Sequence, residues 1–227
     1  MGTYRNRRVL VPSVCVAALL VFETMTIRER VRPYTMTPPQ ASEVLVESVR
    51  EVIAKRIPGA IVECGVWRGG SMMAVALTLM ELKQARDLYL FDTFSGMTEP
   101  SDKDGEAAQS SFKSEGDWCL SPLSEVKDNL RSTDYSARRL HYVVGPVEKT
   151  LPKAAPKNIA LLRLDTDWYS STKHELQTLY PKLSPGGILI IDDYFFWMGC
   201  KAAVDEYFDG RMVKLETAPG QLVMVIK

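Results

Sequence analysis

The stretch that decides the fold is Ile61-Val62-Glu63-Cys64-Gly65-Val66-Trp67-Arg68-Gly69-Gly70-Ser71. It begins as a mostly apolar run of strand length and continues into a turn rich in glycine. The strong helix formers that follow predict a helix over 71–83. Glycines at such a junction let the backbone approach a ligand, and the start of the helix offers unpaired N–H groups. The arrangement is typical of nucleotide-type cofactor sites in α/β proteins.

Two features of this turn narrow the class of cofactor. Its spacing is Glu-x-Gly-x-x-x-Gly, which differs from the Gly-x-Gly-x-x-Gly of dinucleotide folds and from phosphate loops that end in Gly-Lys-Ser/Thr. Glu63 also places a carboxylate where a pyrophosphate would be repelled. A carboxylate there suits a cationic amino group, such as the one at the methionine end of S-adenosylmethionine (SAM). Both features disfavour a nicotinamide-dependent oxidoreductase.

The next predicted strand, Leu88–Asp92, also ends in an acid, 29 residues after Glu63. An acid at the end of that strand is placed to accept hydrogen bonds from ribose hydroxyls. The turn and Asp92 together therefore predict a SAM site.

Three aspartates stand at the ends of two later strands. Asp165 follows Leu161-Leu-Arg-Leu, and Asp192-Asp193 closes the run Gly186-Gly-Ile-Leu-Ile-Ile. Because the carboxyl ends of parallel strands line one crevice, these carboxylates can converge, and they would repel one another without a hard cation between them. Oxygen-only ligation suits Mg²⁺, Mn²⁺ or Ca²⁺. A single such aspartate could instead cap the following helix, but three together favour a metal site.

Strand and helix patterns alternate along most of the chain, which predicts an α/β fold with a mostly parallel sheet and helices on both faces. The last two strands, near Met212–Leu215 and Leu222–Ile226, flank Pro219-Gly220 and predict an antiparallel hairpin that finishes the sheet. The other strands are predicted near Ala60–Cys64, Leu88–Asp92, His141–Val144, Ile159–Leu164 and Gly187–Ile191. The helices are predicted near Ala41–Arg56, Ser71–Lys83, Leu123–Arg131, Ser171–Leu183 and Gly199–Phe208.

The stretch Thr93–Trp118 interrupts this alternation directly after Asp92. It is polar and rich in Ser, Glu, Asp and Gly, and an insert of this length at the ligand face is often a binding loop or lid. Its central part, Glu99–Ala107, could equally be a mobile surface loop. Ordered contacts are expected from Phe94, Met97 and Trp118 at its two ends.

The length and composition of the chain argue against several classes of function. The 227 residues suffice for one α/β domain with extra elements, and the net charge is zero with scattered lysines and arginines, which gives no nucleic-acid footprint. The four cysteines lie far apart without a Cys-x-x-Cys pair, so we expect no zinc site and a reducing, cytoplasmic location.

The sequence predicts an N-terminal region that is distinct from the main domain. We expect residues 1–40 to form an apolar segment and hinge, and residues 41–227 to form the main domain. Val9–Phe22 is apolar for 14 residues after Arg5, Arg7 and Arg8, which imitates a secretory signal. It is too short to span a bilayer comfortably, so no membrane span is expected. A packing helix or an oligomer contact is the favoured interpretation, and export is the alternative.

Four motifs occur in this order: Glu63-Cys-Gly-Val-Trp-Arg-Gly-Gly-Ser71, Phe91-Asp-Thr-Phe-Ser-Gly-Met97, Leu164-Asp-Thr-Asp-Trp-Tyr169 and Leu183-Ser-Pro-Gly-Gly-Ile-Leu-Ile-Ile-Asp-Asp-Tyr194. With these, the chain resembles the macrocin O-methyltransferase family, SAM- and metal-dependent enzymes that methylate sugar hydroxyls on natural products. The family's Arg-Pro-Tyr-Thr-Met segment also matches Arg32–Met36. The resemblance runs from about Met25 to Phe208, and the apolar N-terminal stretch departs from the pattern.

The resemblance implies a Rossmann-like class I SAM methyltransferase fold with a seven-stranded sheet, and it implies a role for particular residues. Asp165, Asp192 and Asp193 would hold Mg²⁺ or Mn²⁺, and Asp167 would be the general base. Residues of the turn and of the next strand end would contact SAM, and the Tyr34–Thr37 segment would help to close over it. The implied cofactor contacts are Glu63, Gly65, Val66, Trp67, Gly69, Ser71, Asp92, Thr93, Tyr34, Thr35 and Met36.

The expected reaction is methyl transfer from SAM to a hydroxyl of a small-molecule glycoside or polyol, with the metal chelating adjacent substrate oxygens. A homo-oligomer is expected. Three alternatives stay open at this point. The acceptor could be a catechol, the chain could be a non-catalytic SAM-binding partner protein, and Asp167 could orient a metal ligand or cap the helix that begins near Ser170.

Overall fold

The computed structural model describes residues 25–114, 118–220 and 222–227, and the apolar stretch Val9–Phe22 lies outside them. Seven strands form one sheet in the order β3-β2-β1-β4-β5-β7-β6. Strands β1 to β5 are parallel, and β7 pairs antiparallel with both β5 and β6. The strands are β1 Ala60–Cys64, β2 Leu88–Asp92, β3 Leu140–Val144, β4 Ile159–Leu164, β5 Leu183–Ile191, β6 Glu216–Ala218 and β7 Leu222–Ile226.

Eight α-helices of the described residues surround this sheet. They are α1 Ile27–Val31, α2 Pro39–Ala54, α3 Gly70–Glu81, α4 Gly105–Ser114, α5 Leu123–Arg131, α6 Val147–Thr150, α7 Tyr169–Leu179 and α8 Met198–Phe208. Short 3₁₀ turns cover Arg32–Tyr34, Asp102–Asp104, Ala137–Arg139, Tyr180–Lys182 and Asp193–Phe195.

The core is two apolar layers, one on each face of the sheet. Alternate residues of β1 and β4, such as Ile61 and Leu161, pack against α2 and α3 on one face. Their neighbours, such as Val62 and Leu162, pack against α7 and α8 on the other. Because both faces are covered, β1 and β4 are buried along their whole length. The strand order reverses at β1 and β4, so the ligand crevice of such a sheet lies at their carboxyl ends.

The predicted fold class, the mostly parallel sheet and the antiparallel C-terminal hairpin are confirmed. One strand was wrongly placed, since Met212–Leu215 was predicted and β6 spans Glu216–Ala218. The hairpin explains the shift. Its register pairs Ala218 with Leu222, so β6 has to run up to the Pro219-Gly220 turn rather than stop before it.

The insert after β2 is ordered through its centre rather than a mobile loop. It contains the 3₁₀ turn Asp102–Asp104 and then α4. Asp104 is buried, and its carboxylate accepts hydrogen bonds from the backbone N–H of Ser101 at 2.7 Å and of Tyr169 at 2.6 Å. Tyr169 begins α7, so this contact places a negative charge at the positive end of that helix. The partner lies 65 residues away along the chain, out of reach of local sequence patterns.

The segment before α2, part of the expected hinge, contains α1 and the 3₁₀ turn Arg32–Tyr34, and the division of the chain at residue 40 stays a prediction. Thr26 and Glu29 form a reciprocal capping box at the start of α1, with the Thr26 N–H donating to Glu29 at 2.8 Å. Among the described residues, no helix is both long enough and apolar enough to cross a bilayer.

Candidate active site

Two cavities open at the carboxyl ends of the parallel strands. The first, of about 60 Å³, lies between the ends of β2, β3 and β4 and includes Asp92, Gly145 and Asp165 in its lining. The second, of about 360 Å³, is lined by the 34–38 segment, the Gly-rich turn and the ends of β4 and β5. Asp165 lines both cavities, so a long ligand could extend from one into the other.

Sheet register brings a glutamate and an arginine together beneath the second cavity. Glu63 of β1 lies directly opposite Arg163 of β4, and both are almost fully buried. The Arg163 guanidinium donates to Glu63 Oε1 at 2.7 Å. Glu63 Oε2 is buried as well, and it has no hydrogen-bond partner among the described residues. A buried carboxylate oxygen without a donor is costly, so this atom marks a place for a ligand donor.

Arg163 reaches two of the strand-end aspartates at the same time. Because side chains two residues apart share a face of a strand, Asp165 lies on the Arg163 side of the sheet. The guanidinium donates to Asp165 at 2.5 Å and to Asp192, at the end of β5, at 2.8 Å. A further bond to Thr37 Oγ1, at 3.0 Å, attaches the segment before α2. One buried arginine therefore connects β1, β4, β5 and the 34–38 segment.

Three carboxylates converge closely at the same edge. Oxygens of Asp165, Asp167 and Asp193 all lie within 4.8 Å of one another. Asp167 has a positive φ of 65°, and its N–H donates to Asp193 at 3.1 Å. This set contains Asp167, the expected base, in place of Asp192, the third predicted metal ligand. Asp192 lines the same cavity with an oxygen bonded to Arg163.

The pKa values of Glu63 and of the converging carboxylates are raised, because burial outweighs the effect of the Arg163 guanidinium. Burial raises the pKa of Glu63 to about 7, although the Arg163 guanidinium opposes that shift. Burial also raises the pKa of Asp167 to about 7, against the effect of its hydrogen bond with Asp193. Burial raises the pKa of Asp165 and of Asp193 as well, and for Asp193 the charge on Asp167 adds to it. A ligand that brings positive charge would stabilise the ionised forms.

The Gly-rich turn depends on close contacts within the chain. Gly65 has a φ of 81°, and a Cβ added there would lie 1.7 Å from the carbonyl oxygen of Asp165. Only glycine lets the turn pass so close to the end of β4. Gly69 precedes α3 with a φ of 87° and packs against Leu130 of α5, so it lines neither cavity.

Asp92 fixes this turn from the next strand. One carboxylate oxygen accepts the N–H groups of Val66 at 2.6 Å and Trp67 at 3.0 Å, and the other accepts the N–H of Phe94 at 2.7 Å. Asp92 and Thr93 line the first cavity. The expected contact between Asp92 and ribose stays a prediction, since its observed partners are backbone groups.

The 34–38 segment covers the turn from outside. Tyr34, Thr35 and Met36 line the second cavity, as do Val66, Trp67 and Ser71 of the turn. A Cβ added at Gly70 would lie 2.5 Å from the Tyr34 carbonyl oxygen, so the segment lies directly on the start of α3. Arg68 holds it there, because its side chain donates to the Pro33 carbonyl at 3.0 Å and to Glu125 of α5 at 2.7 Å.

A family model described as Macrocin-O-methyltransferase matches residues 29–219 of this chain. The chain belongs to the macrocin O-methyltransferase family. Demethyldecarbamoylnovobiocin O-methyltransferase from Streptomyces niveus is 35% identical over 195 residues, which cover 80% of this chain and 74% of the relative. A 4'-O-methyltransferase from Streptomyces olivaceus that acts on a dimethoxyrhamnosyl tetracenomycin C is 36% identical over 177 residues, covering 77% of this chain and 67% of the relative.

Solved structures place this macrocin O-methyltransferase family member in the same fold class. The O-methyltransferase NovP superposes with a TM-score of 0.78 at 32% identity, covering 86% of this chain and 82% of NovP. The calicheamicin methyltransferase CalS11 is similar in fold, with a TM-score of 0.69 at 21% identity over 100% of this chain and 98% of CalS11. The enzyme is therefore a SAM-dependent O-methyltransferase with the class I methyltransferase fold.

Several residues of this O-methyltransferase site were missed by sequence reasoning. Arg163 interrupts an otherwise apolar strand, and that lone charge was a signal for a buried ion pair. Glu175, in α7, is fully buried and accepts the hydroxyl of Thr166, the residue between Asp165 and Asp167, at 3.0 Å. Phe196 and Trp197 follow the second aspartate motif and line the second cavity. No local pattern distinguishes them from ordinary core aromatics.

Proposed function

We propose that this enzyme transfers a methyl group from SAM to a hydroxyl of a sugar or glycosylated natural product, with Mg²⁺ or Mn²⁺ bound among the strand-end aspartates. By their names, the relatives described above methylate demethyldecarbamoylnovobiocin and a dimethoxyrhamnosyl tetracenomycin C, which supports this class of acceptor. A third, mycinamicin III 3''-O-methyltransferase from Micromonospora griseorubida, is 31% identical over 182 residues, covering 78% of this chain and 70% of the relative.

The observation that carries the proposed cofactor position is the buried, unpartnered Oε2 of Glu63. It suits the ammonium group of the methionine end, whose donors would complete its hydrogen bonding. The first cavity, which includes Asp92 and Thr93, has room for part of the adenosine end, and the ribose would lie there. Asp165 lies at the junction of the two cavities, so the reactive sulfonium carbon would lie near the aspartates.

The donor set around the second cavity fits a hard divalent cation. Its acids offer oxygen ligands alone, and four aspartates line a cavity with one arginine. Asp165 and Asp193 belong both to the ligand set expected from sequence and to the converging set. The two sets differ in their third member, which is Asp192 in the set expected from sequence and Asp167 in the converging set.

The residues of this chain would contribute mainly by positioning and by accepting a proton. A bound Mg²⁺ supplies Lewis acidity, which lowers the pKa of a coordinated hydroxyl and fixes its orientation. Asp167 lies beside Asp165 and would accept the hydroxyl proton. The Tyr34–Thr37 segment would limit the access of water to the second cavity. Holding acceptor and donor in line can contribute roughly 7–11 kcal/mol at best.

Calorimetric titration, together with an assay of turnover on an acceptor glycoside, tests this assignment. SAM and then Mg²⁺ are titrated into wild type and into the single variants Asp193→Asn, Asp192→Asn and Asp167→Asn. The wild type is expected to bind both, and Asp193→Asn should keep SAM but lose the metal. If Asp192→Asn loses the metal and Asp167→Asn keeps it but loses turnover, Asp192 is the third ligand and Asp167 the base. The reverse pattern exchanges these two roles. Absence of SAM binding to wild type would refute the proposal.

A further inference from the structure

Glu175 of α7 is a buried acid that contacts the chain at the ends of both central strands. Its side chain is fully buried and belongs to the described lining of neither cavity. Its carboxyl oxygens accept the Thr166 hydroxyl at 3.0 and 3.2 Å, and the carboxyl also hydrogen-bonds with the buried Cys64 thiol. Burying an acid is costly unless it is hydrogen-bonded, so these bonds require an explanation that packing alone does not give.

The two partners of Glu175 connect a fixed strand end to the carboxylates of the site. Cys64 is the last residue of β1, which is buried along its whole length. Thr166 stands between Asp165 and Asp167, two of the three converging carboxylates. We call residues 165–167 the aspartate turn. The turn also meets β1 directly, because the Asp165 N–H donates to the Cys64 carbonyl at 2.9 Å.

The aspartate turn has a conformation that needs support from outside. Asp167 has a φ of 65°, in the left-handed region that is unfavourable for residues with a side chain. On the cavity side, its N–H donates to Asp193 at 3.1 Å. On the side of α7, the Thr166 carbonyl accepts the Ser171 hydroxyl at 3.2 Å, and the Thr166 hydroxyl is bonded to Glu175. Asp193 belongs to the converging set itself, so α7 provides the support that is independent of the carboxylates.

From this arrangement, and resting on the proposed function, we infer that Glu175 is a positioning residue for the metal-binding carboxylates. Through Thr166 it holds the aspartate turn in the conformation in which Asp165 and Asp167 face the same point. Without that bond the turn can relax out of the left-handed conformation and carry the two carboxylates apart. Removing a group that orients a metal ligand typically weakens metal binding or activity roughly 10–100-fold.

Calorimetric titration of Mg²⁺ into enzyme loaded with S-adenosylhomocysteine tests this inference. Glu175→Met and Thr166→Val remove the bond at similar side-chain size, and each should weaken Mg²⁺ binding by about tenfold or more. Glu175→Gln and Thr166→Ser keep an acceptor and a donor for the bond, and each should bind Mg²⁺ as wild type does. Glu175→Met should leave the affinity for S-adenosylhomocysteine unchanged, because Asp92 separately holds the Gly-rich turn.

A double-mutant cycle distinguishes positioning from a general loss of stability. If Glu175 acts through Thr166, the double variant Glu175→Met/Thr166→Val should bind Mg²⁺ no more weakly than Glu175→Met alone, whereas independent effects would multiply. The matched control is Thr78→Val. The Thr78 hydroxyl is buried and donates to the Ala74 carbonyl within α3 at 2.7 Å, so this variant makes the same substitution outside the aspartate turn and should leave Mg²⁺ binding unchanged.

The inference is overturned if Glu175→Met binds Mg²⁺ as tightly as wild type, if Glu175→Gln fails to restore binding, or if the two losses multiply. Urea unfolding shows whether each variant folds. If Glu175→Met does not fold, the comparison of Thr166→Val with Thr166→Ser decides alone, and equal Mg²⁺ affinities would overturn the inference. Failure of the proposed function gives a separate result, since wild type would then not bind S-adenosylhomocysteine or Mg²⁺, and the inference would fall with it.

Discussion

Glu175 should make the stability of this enzyme fall as the pH rises from acid to neutral. Its side chain is fully buried in α7, where it accepts the Thr166 hydroxyl and lies against the Cys64 thiol. Burial raises the pKa of Glu175 to about 8 from an ordinary value of 4.5. The hydrogen bond from Thr166 opposes this shift, and the charge of Glu148 adds to it.

The sign follows from which state holds the proton. Between pH 4.5 and 8 the folded chain keeps a proton on Glu175 that the unfolded chain has released, so each step up in pH favours unfolding. One pKa unit corresponds to about 1.4 kcal/mol, so between pH 5 and pH 7 the loss amounts to about 2–3 kcal/mol. The contribution of Glu175 to the free energy of unfolding is greatest below pH 4.5 and is lost as the pH rises to 8.

The perturbation is Glu175→Gln, which replaces the neutral acid by a side chain of the same shape that does not titrate. Urea unfolding of wild type and variant is followed from pH 5 to pH 9 in the presence of EDTA, which keeps metal binding out of the comparison. We subtract the free energy of unfolding of wild type from that of the variant at each pH. This difference should rise by about 2–3 kcal/mol between pH 5 and pH 7. The gain should level off above pH 8.

The control is Glu43→Gln, at an exposed position of α2, which measures the general effect of removing one carboxylate. A difference between Glu175→Gln and wild type that stays constant with pH would refute the reasoning. A difference that moves in the opposite direction would mean that Glu175 is ionised in the folded enzyme.

Three further predictions concern stability. Gly65→Ala should lower the free energy of unfolding by more than about 2 kcal/mol, because the new Cβ meets the Asp165 carbonyl. Its control is Gly210→Ala, at a glycine with a φ of 67° and open space around it, which should cost only about 1 kcal/mol in the same urea experiment. Arg163→Met should cost about 3–5 kcal/mol at neutral pH because it leaves buried carboxylates unpaired, and a smaller loss at acid than at neutral pH would support that cause. Asp104→Ala should cost about 1–3 kcal/mol and speed proteolysis within 99–114, whereas the exposed Asp102→Ala should do neither.

The sequence predicted those parts of the fold that depend on local pattern. The apolar runs gave the five parallel strands, and the acids at their ends pointed to the crevice, because strand ends in such a sheet share one edge. Asp165, Asp192 and Asp193 do line one cavity. Their positions follow from strand ends alone, which is why they could be found without a structure.

The missed features depend on register and on distant contacts. The pairing of Glu63 with Arg163 requires knowledge that β1 and β4 are neighbours and in which register they lie. The bond from Asp104 to the start of α7 joins residues 65 apart, and it turned an expected loop into an anchored segment. Gly65 lines the first cavity, and it also lets the turn pass close to the backbone at the end of β4, a contact that depends on the pairing of β1 with β4. Such contacts between chain segments leave no periodic trace in the sequence.

The central claim is that methyl transfer by this enzyme needs a metal held by the strand-end aspartates. The most direct measurement is the initial rate of S-adenosylhomocysteine formation from SAM and an acceptor glycoside, in EDTA and then with Mg²⁺ restored, for wild type and Asp193→Asn. The account predicts turnover that EDTA abolishes and Mg²⁺ restores in wild type, with none in the variant at any Mg²⁺ concentration tested. A rate that EDTA leaves unchanged, with SAM bound normally, would contradict it.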